Sequence, residues 1–197
     1  GLPLGSFMPE NPWCALARDL TDLPAAPFIK THSPAPPSLP YNVRAVFLFG
    51  NPLKAVVSSR QKRWDRHAWK NNGWFQDEPP DIYNRDDLGF ERKFDTWTAG
   101  HDYPVLAVRY EKMWENRAVL ERYLGCPVNL PPKRERSTEI PAHLRSQLEE
   151  VYGTLRDKVE NAPDIWLPGR DGEGVSELKE VPAPCLAERL SDRKSVV

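Results

Sequence analysis

Two short apolar runs dominate the hydrophobic pattern of this chain. Residues 43–49 read VRAVFLF and residues 104–111 read PVLAVRYE, and both are rich in β-branched and aromatic side chains. Apolar runs of this length with few charges are typical of strands that are buried on both faces. We therefore predict two buried strands of a parallel sheet.

The first run leads directly into a predicted helix. Asn51 is a favourable N-cap residue, and Pro52 suits the first helical position, where its missing N–H costs nothing. A strand, a tight turn and a helix form the first half of a crossover connection between parallel strands.

Three further helices are indicated by apolar residues at helical spacing or by a C-terminal glycine. They are predicted around Phe90, Phe94 and Trp97; over residues 113–125, ending at Gly125; and around Leu144, Leu148, Val151, Leu155 and Val159.

Strands that alternate with helices predict an α/β domain with a three-layer parallel sheet flanked by helices. Residues 1–40 hold nine of the 21 prolines, so long helices are excluded there. Residues 71–87 are polar and predict a long surface loop. We expect a single domain over residues 1–167 and a peripheral C-terminal tail over residues 168–197.

The net charge gives no indication of a strongly charged partner. The 27 basic and 28 acidic residues give a net charge of −1, so no overall field favours nucleic acid or a membrane surface. Residues 60–70 carry five basic residues with Trp64 and Trp69, a combination that binds polyanions but is more common on a solvated helix face. We expect no nucleic-acid partner, and at most a contribution to binding an anionic or sugar-like acceptor.

The three cysteines, Cys14, Cys126 and Cys185, are far apart and form no CxxC motif. Free thiols and the absence of a signal-peptide pattern favour a cytoplasmic location, although a lumenal enzyme supplied without its anchor has the same features. The histidines show no metal-ligand spacing, so no metal is expected. No apolar run approaches the roughly 20 residues of a membrane span.

The topology directs attention to the carboxyl ends of the predicted strands, where such sheets bind ligands. The residues concerned are 30–34, 50–58 and 110–114. A helix N-terminus at Asn51 favours anions, and the Ser58 hydroxyl is available to donate to a phosphate. Taken alone, this segment is better interpreted as an ordinary capped helix.

Lys30 and His32 lie two residues apart at the end of a short apolar run, PFIK, which prolines then interrupt. In a strand they face the same side. They are either a solvated strand end or the cation and the general base of an active site.

Together these segments resemble the PAPS-dependent sulfotransferases, where PAPS is 3′-phosphoadenosine 5′-phosphosulfate. The resemblance is carried by PFIKTHSP, by a strand leading into NPLKAVVSS and by VLAVRYEKMWENRAVLERYLG, from Pro27 to Gly125. It implies a P-loop NTPase-like fold, PAPS as co-substrate, PAP as product, and a hydroxyl or amine of a carbohydrate or small molecule as acceptor.

The resemblance also implies roles for individual residues. His32 is the implied general base, assisted by Lys30, and Arg109 and Glu111 are implied to hold a strand end. The implied nucleotide-binding residues are Ser58 and Asn51 at the 3′-phosphate, Tyr110 at the adenine, and Arg134, Arg136 and Ser137 in a closing basic loop.

Two departures from the family pattern concern the donor site. Gly50 stands where the family has an arginine that pairs with the 3′-phosphate, and Leu4 stands at the basic position of the phosphosulfate loop. That loop is therefore degenerate or missing, as in a chain truncated at its N-terminus. The alternative to an active enzyme is a catalytically lapsed, sulfotransferase-like binding protein.

Overall fold

The computed structural model describes residues 32–39, 43–61, 76–133 and 139–169. In chain order the elements are β1 (Ala45–Phe49), α1 (Pro52–Gln61), α2 (Phe90–Thr98), β2 (Val105–Arg109), a 3-10 helix (Tyr110–Lys112), α3 (Arg117–Leu124), α4 (Ala142–Asn161) and β3 (Ile165–Trp166).

The described strands form one sheet in the order β1-β2-β3. β1 and β2 are parallel, with Ala45 opposite Val105 and Phe49 opposite Arg109. β3 is antiparallel to β2, so the prediction of an all-parallel sheet is wrong and the sheet is mixed. After α4 the chain turns back beside β2, and the Arg109 N–H donates a hydrogen bond to the Asp164 carbonyl at 2.7 Å. β3 has two residues, too few to show the alternation of polar and apolar side chains that indicates a strand in a sequence.

Helices cover both faces of the sheet, as the three-layer prediction requires. On one face, Phe49 and Ala107 pack against apolar residues of α1, α2 and α4. On the other face, Leu106 and Val108 pack against Leu120 and other residues in and around α3. The coarse α/β architecture is therefore confirmed for the described residues.

The two parallel strands differ in burial. Val105, Leu106, Ala107 and Val108 of β2 are buried, as predicted. In β1, Leu48 is 46% exposed, so the prediction of a strand buried on both faces is wrong there. Within the described residues, β1 has a partner strand only on its β2 side, which explains the lower burial.

Asn51 caps α1 as predicted, since its side-chain Oδ1 accepts a hydrogen bond from the Lys54 N–H at 3.0 Å. Gly125 follows α3 with a φ of 68°, the left-handed conformation expected of a C-terminal glycine. α3 begins at Arg117, four residues later than predicted, because the chain first forms the 3-10 helix and a turn.

The predicted loop contains no helix or strand over its described part, residues 76–87. Hydrogen bonds of Tyr152 and Asp86 join this loop to α4 and to α2. The Tyr152 hydroxyl in the middle of α4 donates to the Ile82 carbonyl at 3.0 Å. Asp86 accepts hydrogen bonds from the Phe90 and Glu91 N–H groups at 2.8 and 2.9 Å and so caps α2. No helix within the described ranges is long and apolar enough to cross a membrane.

Candidate functional site

The parallel pair brings two predicted segments together at one edge of the sheet. Because Phe49 lies opposite Arg109, residues 50–51 and 110–111 leave the sheet side by side at the carboxyl ends of β1 and β2. We call this surface, formed by Gly50, Asn51, Tyr110 and Glu111, the carboxyl edge. It coincides with the place where the topology predicted a ligand site.

The N-terminus of α1 faces the carboxyl edge with few unused donors. Pro52 has no N–H, the Lys54 N–H donates to the Asn51 side chain, and the Ala55 N–H donates to the Asn51 carbonyl at 3.1 Å. Of the first four positions, Leu53 alone keeps an N–H that no hydrogen bond within the described residues uses. The helix dipole therefore acts here mainly through its field rather than through a ring of free N–H groups.

Ser58 lies further along α1 and is half-buried. It follows Asn51 by seven residues, which corresponds to roughly 10 Å along a helix axis. Its hydroxyl therefore lies about two turns from the N-terminus of α1.

Glu111 lies against Gly50. A Cβ atom built on Gly50 would lie 3.2 Å from Oε1 and 3.3 Å from Oε2 of Glu111. The carboxylate therefore occupies the space into which a side chain at position 50 would enter. Glu111 itself is exposed.

Arg109 is a structural residue. Its Nε bonds Asp164 Oδ1 at 2.7 Å, and one of its terminal nitrogens donates to the carbonyls of Val159 and Ala162 at 2.9 and 2.7 Å. The guanidinium carbon also lies 5.2 Å from the centre of the Phe49 ring. Arg109 thus holds the end of β2 against the C-terminus of α4, the role that the resemblance implied for it.

Tyr110 presents an aromatic surface at the carboxyl edge. It is 44% exposed, and its ring meets the Trp114 ring edge-to-face at 5.4 Å. An exposed, supported ring of this kind offers a stacking surface for a planar base.

Opposite charges next to the carboxyl edge are largely paired. Lys112 bonds Glu115 at 2.8 Å, and Lys133 lies 3.5 Å from the same carboxylate. The hydrogen bond to Lys112 lowers the pKa of Glu115, and the hydrogen bond to Glu115 raises the pKa of Lys112. With Arg109 bound to Asp164, these described cations are already engaged by carboxylates.

The segment that contains His32 is held by α2 and by Tyr103, two residues before β2. The Trp97 indole N–H donates to the Ser33 carbonyl at 2.9 Å, and the Tyr103 hydroxyl donates to the Pro36 carbonyl at 2.6 Å. His32 itself is half-buried. The described contacts of this segment therefore lie along α2 and toward the amino end of β2.

Several predicted residues lie outside the described ranges. Leu4, Lys30, Arg134, Arg136 and Ser137 belong to this group, as do the tryptophans of the basic segment, Trp64 and Trp69. Their predicted roles stay predictions.

A surface depression lies away from the carboxyl edge. Its volume is about 450 Å³, and it is lined by residues 78–84 and by Gln147. Gln147 precedes Val159, which bonds Arg109, by twelve residues of α4, or roughly 18 Å along the helix. Among the described residues, no group of three or more His, Cys, Asp or Glu side chains is arranged to hold a metal ion.

Two features of this region were missed from the sequence. The position of the Glu111 carboxylate against Gly50 depends on the register of β1 and β2, which no local pattern encodes. An aspartate shortly before an apolar helix could have predicted the capping role of Asp86, but this residue lies within the loop predicted over residues 71–87.

Comparisons with protein-family models, with curated proteins and with solved structures each find no match to this chain.

Proposed function

We propose that this chain is a PAPS-dependent sulfotransferase that transfers a sulfuryl group to a hydroxyl or amine of a carbohydrate or small molecule. One observation carries the proposal: the parallel β1–β2 pair delivers Asn51 and Tyr110 to the same edge of the sheet. This arrangement is what the resemblance in sequence requires, and open α/β sheets bind ligands beyond the carboxyl ends of their strands.

In this proposal the donor nucleotide lies across the carboxyl edge. The positive end of α1, capped by a neutral amide at Asn51, attracts the 3′-phosphate, and Ser58 contributes a hydroxyl from the next turns. The exposed ring of Tyr110 stacks on the adenine, supported by Trp114.

The reaction is an in-line displacement at sulfur. The acceptor oxygen forms a bond to the sulfur while the bond between sulfur and the bridging phosphate oxygen breaks, and that oxygen leaves with the electron pair as part of PAP. His32 takes the acceptor proton, and Lys30 stabilises the charge on the leaving oxygen. Positioning and electrostatic stabilisation supply the catalysis.

Donor binding requires cations, and the described part of the chain supplies few unpaired ones at this edge. Arg109 and Lys112 are engaged by Asp164 and Glu115. In the proposal, neutralisation of the donor phosphates therefore depends on Lys30 and on the predicted basic loop of Arg134 and Arg136.

A second candidate function is a sulfotransferase-like binding protein without catalysis. The specific observation that favours it is the Glu111 carboxylate beside Gly50, a negative charge at the position where the family has an arginine. A fold persists while its site loses activity, so this alternative keeps the same architecture.

Calorimetric titration with PAP tests the donor site. We expect micromolar binding by the unmodified chain and roughly tenfold weaker binding by Ser58→Ala, the loss of one hydrogen bond to a charged group. Ser146→Ala removes the same hydroxyl from an exposed position of α4 and serves as the matched control, with unchanged affinity.

Turnover distinguishes the two functions once PAP binding is established. Release of PAP from PAPS in the presence of an acceptor collection, lost in His32→Ala, supports the enzyme. PAP binding without turnover of any acceptor supports the lapsed protein. No binding of millimolar PAP by the unmodified chain would contradict the enzyme and leave a sulfotransferase-like scaffold whose function lies elsewhere.

A further inference from the structure

Glu111 is the charged residue of the carboxyl edge, and it stands apart from the charged residues next to that edge. Arg109, Asp164, Lys112 and Glu115 form two ion pairs. The side chain of Glu111 forms no ion pair or hydrogen bond within the described ranges, and its carboxylate lies against Gly50 instead. An exposed charge in such a position acts on any ligand that approaches.

The location of this carboxylate matters because Gly50 immediately precedes the cap of α1. A Gly50 Cβ would lie 3.2 Å from Glu111 Oε1, so the carboxylate lies beside the residue that precedes Asn51. Carboxylates are themselves stabilised near helix N-termini. The chain therefore supplies an internal anion to the space that an anionic ligand would enter.

We propose that Glu111 is an affinity- and specificity-determining residue of the donor site: its carboxylate opposes the phosphate at the α1 N-terminus and weakens the binding of highly charged nucleotides. This inference rests on the proposed function and deepens it. It gives Glu111 an effect on ligand binding, whereas the resemblance implied only that Glu111 holds a strand end.

The neighbouring ion pairs do not cancel this effect. On β2 and the 3-10 helix, Arg109 and Lys112 are committed to Asp164 and Glu115. On α1, Lys54 is exposed, and its backbone N–H is used by Asn51. Lys54 is therefore the charge of the first turn of α1 that opposes Glu111, but Glu111 is the group that lies against Gly50.

Glu111→Gln tests the proposal, since it keeps the shape of the side chain and removes its charge. At about 20 mM salt, we expect PAP to bind roughly three- to tenfold more tightly to the variant, the effect of one solvent-screened charge on a multivalent anion. At about 0.5 M salt, the difference should shrink to less than roughly twofold, because screening removes a charge effect but not a packing effect.

Glu150→Gln is the matched control. Glu150 is exposed on α4, and its replacement changes the net charge of the chain by the same amount. It should leave the PAP affinity unchanged at both salt concentrations, which separates the local field from the net charge. Thermal unfolding of both variants checks that the fold is retained.

The outcomes separate this inference from the proposed function. Tighter, salt-sensitive PAP binding by Glu111→Gln, but not by Glu150→Gln, supports the inference. It does so also when the unmodified chain shows no binding, and the lapsed protein is then favoured. PAP binding to the unmodified chain that Glu111→Gln leaves unchanged or weakens overturns the inference and keeps the proposed function. Absence of binding by both proteins overturns the two together.

Discussion

Helices α1 and α2 begin with different caps, although both follow an irregular turn. α1 is capped by the neutral amide of Asn51, which accepts one N–H. α2 is capped by the carboxylate of Asp86, which accepts two N–H groups, from Phe90 and Glu91. The positive end of α2 is therefore neutralised by its own chain, whereas the cap of α1 carries no charge.

This difference explains why the candidate site is assigned to α1. A carboxylate that already fills a helix N-terminus excludes a ligand anion, so α2 uses its dipole for stability. At α1 the dipole is left to act outward, toward Glu111 and toward any ligand at the carboxyl edge. A capping carboxylate also has a cost, because burial raises the pKa of the half-buried Asp86 against the lowering effect of the two N–H bonds.

Removal of the charged cap should produce the largest change in stability. Asp86→Ala leaves the Phe90 and Glu91 N–H groups without their acceptors, and we expect the free energy of unfolding to fall by about 2 kcal/mol. Urea unfolding at pH 7 measures it. Asp102→Ala, which removes an exposed carboxylate in the turn before β2, is the control and should change stability little. Equal effects of the two substitutions would contradict the capping role.

Lys93 gives the stability of α2 a pH dependence. Burial lowers the pKa of Lys93 from 10.5 to about 8, against the attraction of Asp86. Between about pH 8 and 10.5 the unfolded chain therefore binds more protons than the native chain, and the free energy of unfolding rises with pH. After allowance for partial exposure, the rise from Lys93 should be about 1–2 kcal/mol.

Lys93→Met should raise stability at pH 7 and remove this rise. Urea unfolding at several pH values from about 7 to 10 measures both effects. Lys54→Met, at an exposed position of the first turn of α1, is the matched variant and should keep the pH dependence of the unmodified chain. A rise that persists in Lys93→Met would assign it to another group.

Two substitutions at Asn51 test whether the cap of α1 can be made to resemble that of α2. Asn51→Ala removes the acceptor for the Lys54 N–H and should lower the free energy of unfolding by about 1 kcal/mol. Asn51→Asp keeps an acceptor and adds a charge, so stability should change by only a few tenths of a kcal/mol. PAP affinity should nevertheless fall severalfold in Asn51→Asp. Unchanged PAP affinity would separate ligand binding from the α1 N-terminus.

The sequence predicts those parts of the fold that local rules determine. The cap at Asn51, the C-terminal glycine Gly125 and the apolar stripe of α4 are set by neighbouring residues, and the structure confirms them. The antiparallel direction of β3 and the exposure of Leu48 depend on which strands become neighbours. Such long-range pairing is not written in a two-residue strand or in one apolar run.

The candidate site divides in the same way. Strand ends and helix starts could be located from periodicity, so Asn51 and Tyr110 were expected at one edge, and the register of β1 and β2 places them there. The contact between Glu111 and Gly50 could not be predicted, because it arises where two turns from distant parts of the chain meet.

The most direct test of the donor site is a PAP titration followed by amide ¹H–¹⁵N NMR spectra of the labelled chain. We expect the largest shifts at the backbone amides of Leu53, Tyr110 and Glu111, around the N-terminus of α1 and the end of β2. Shifts confined to residues 78–84 and Gln147 would place the ligand in the surface depression instead, and would contradict a nucleotide site at the carboxyl edge.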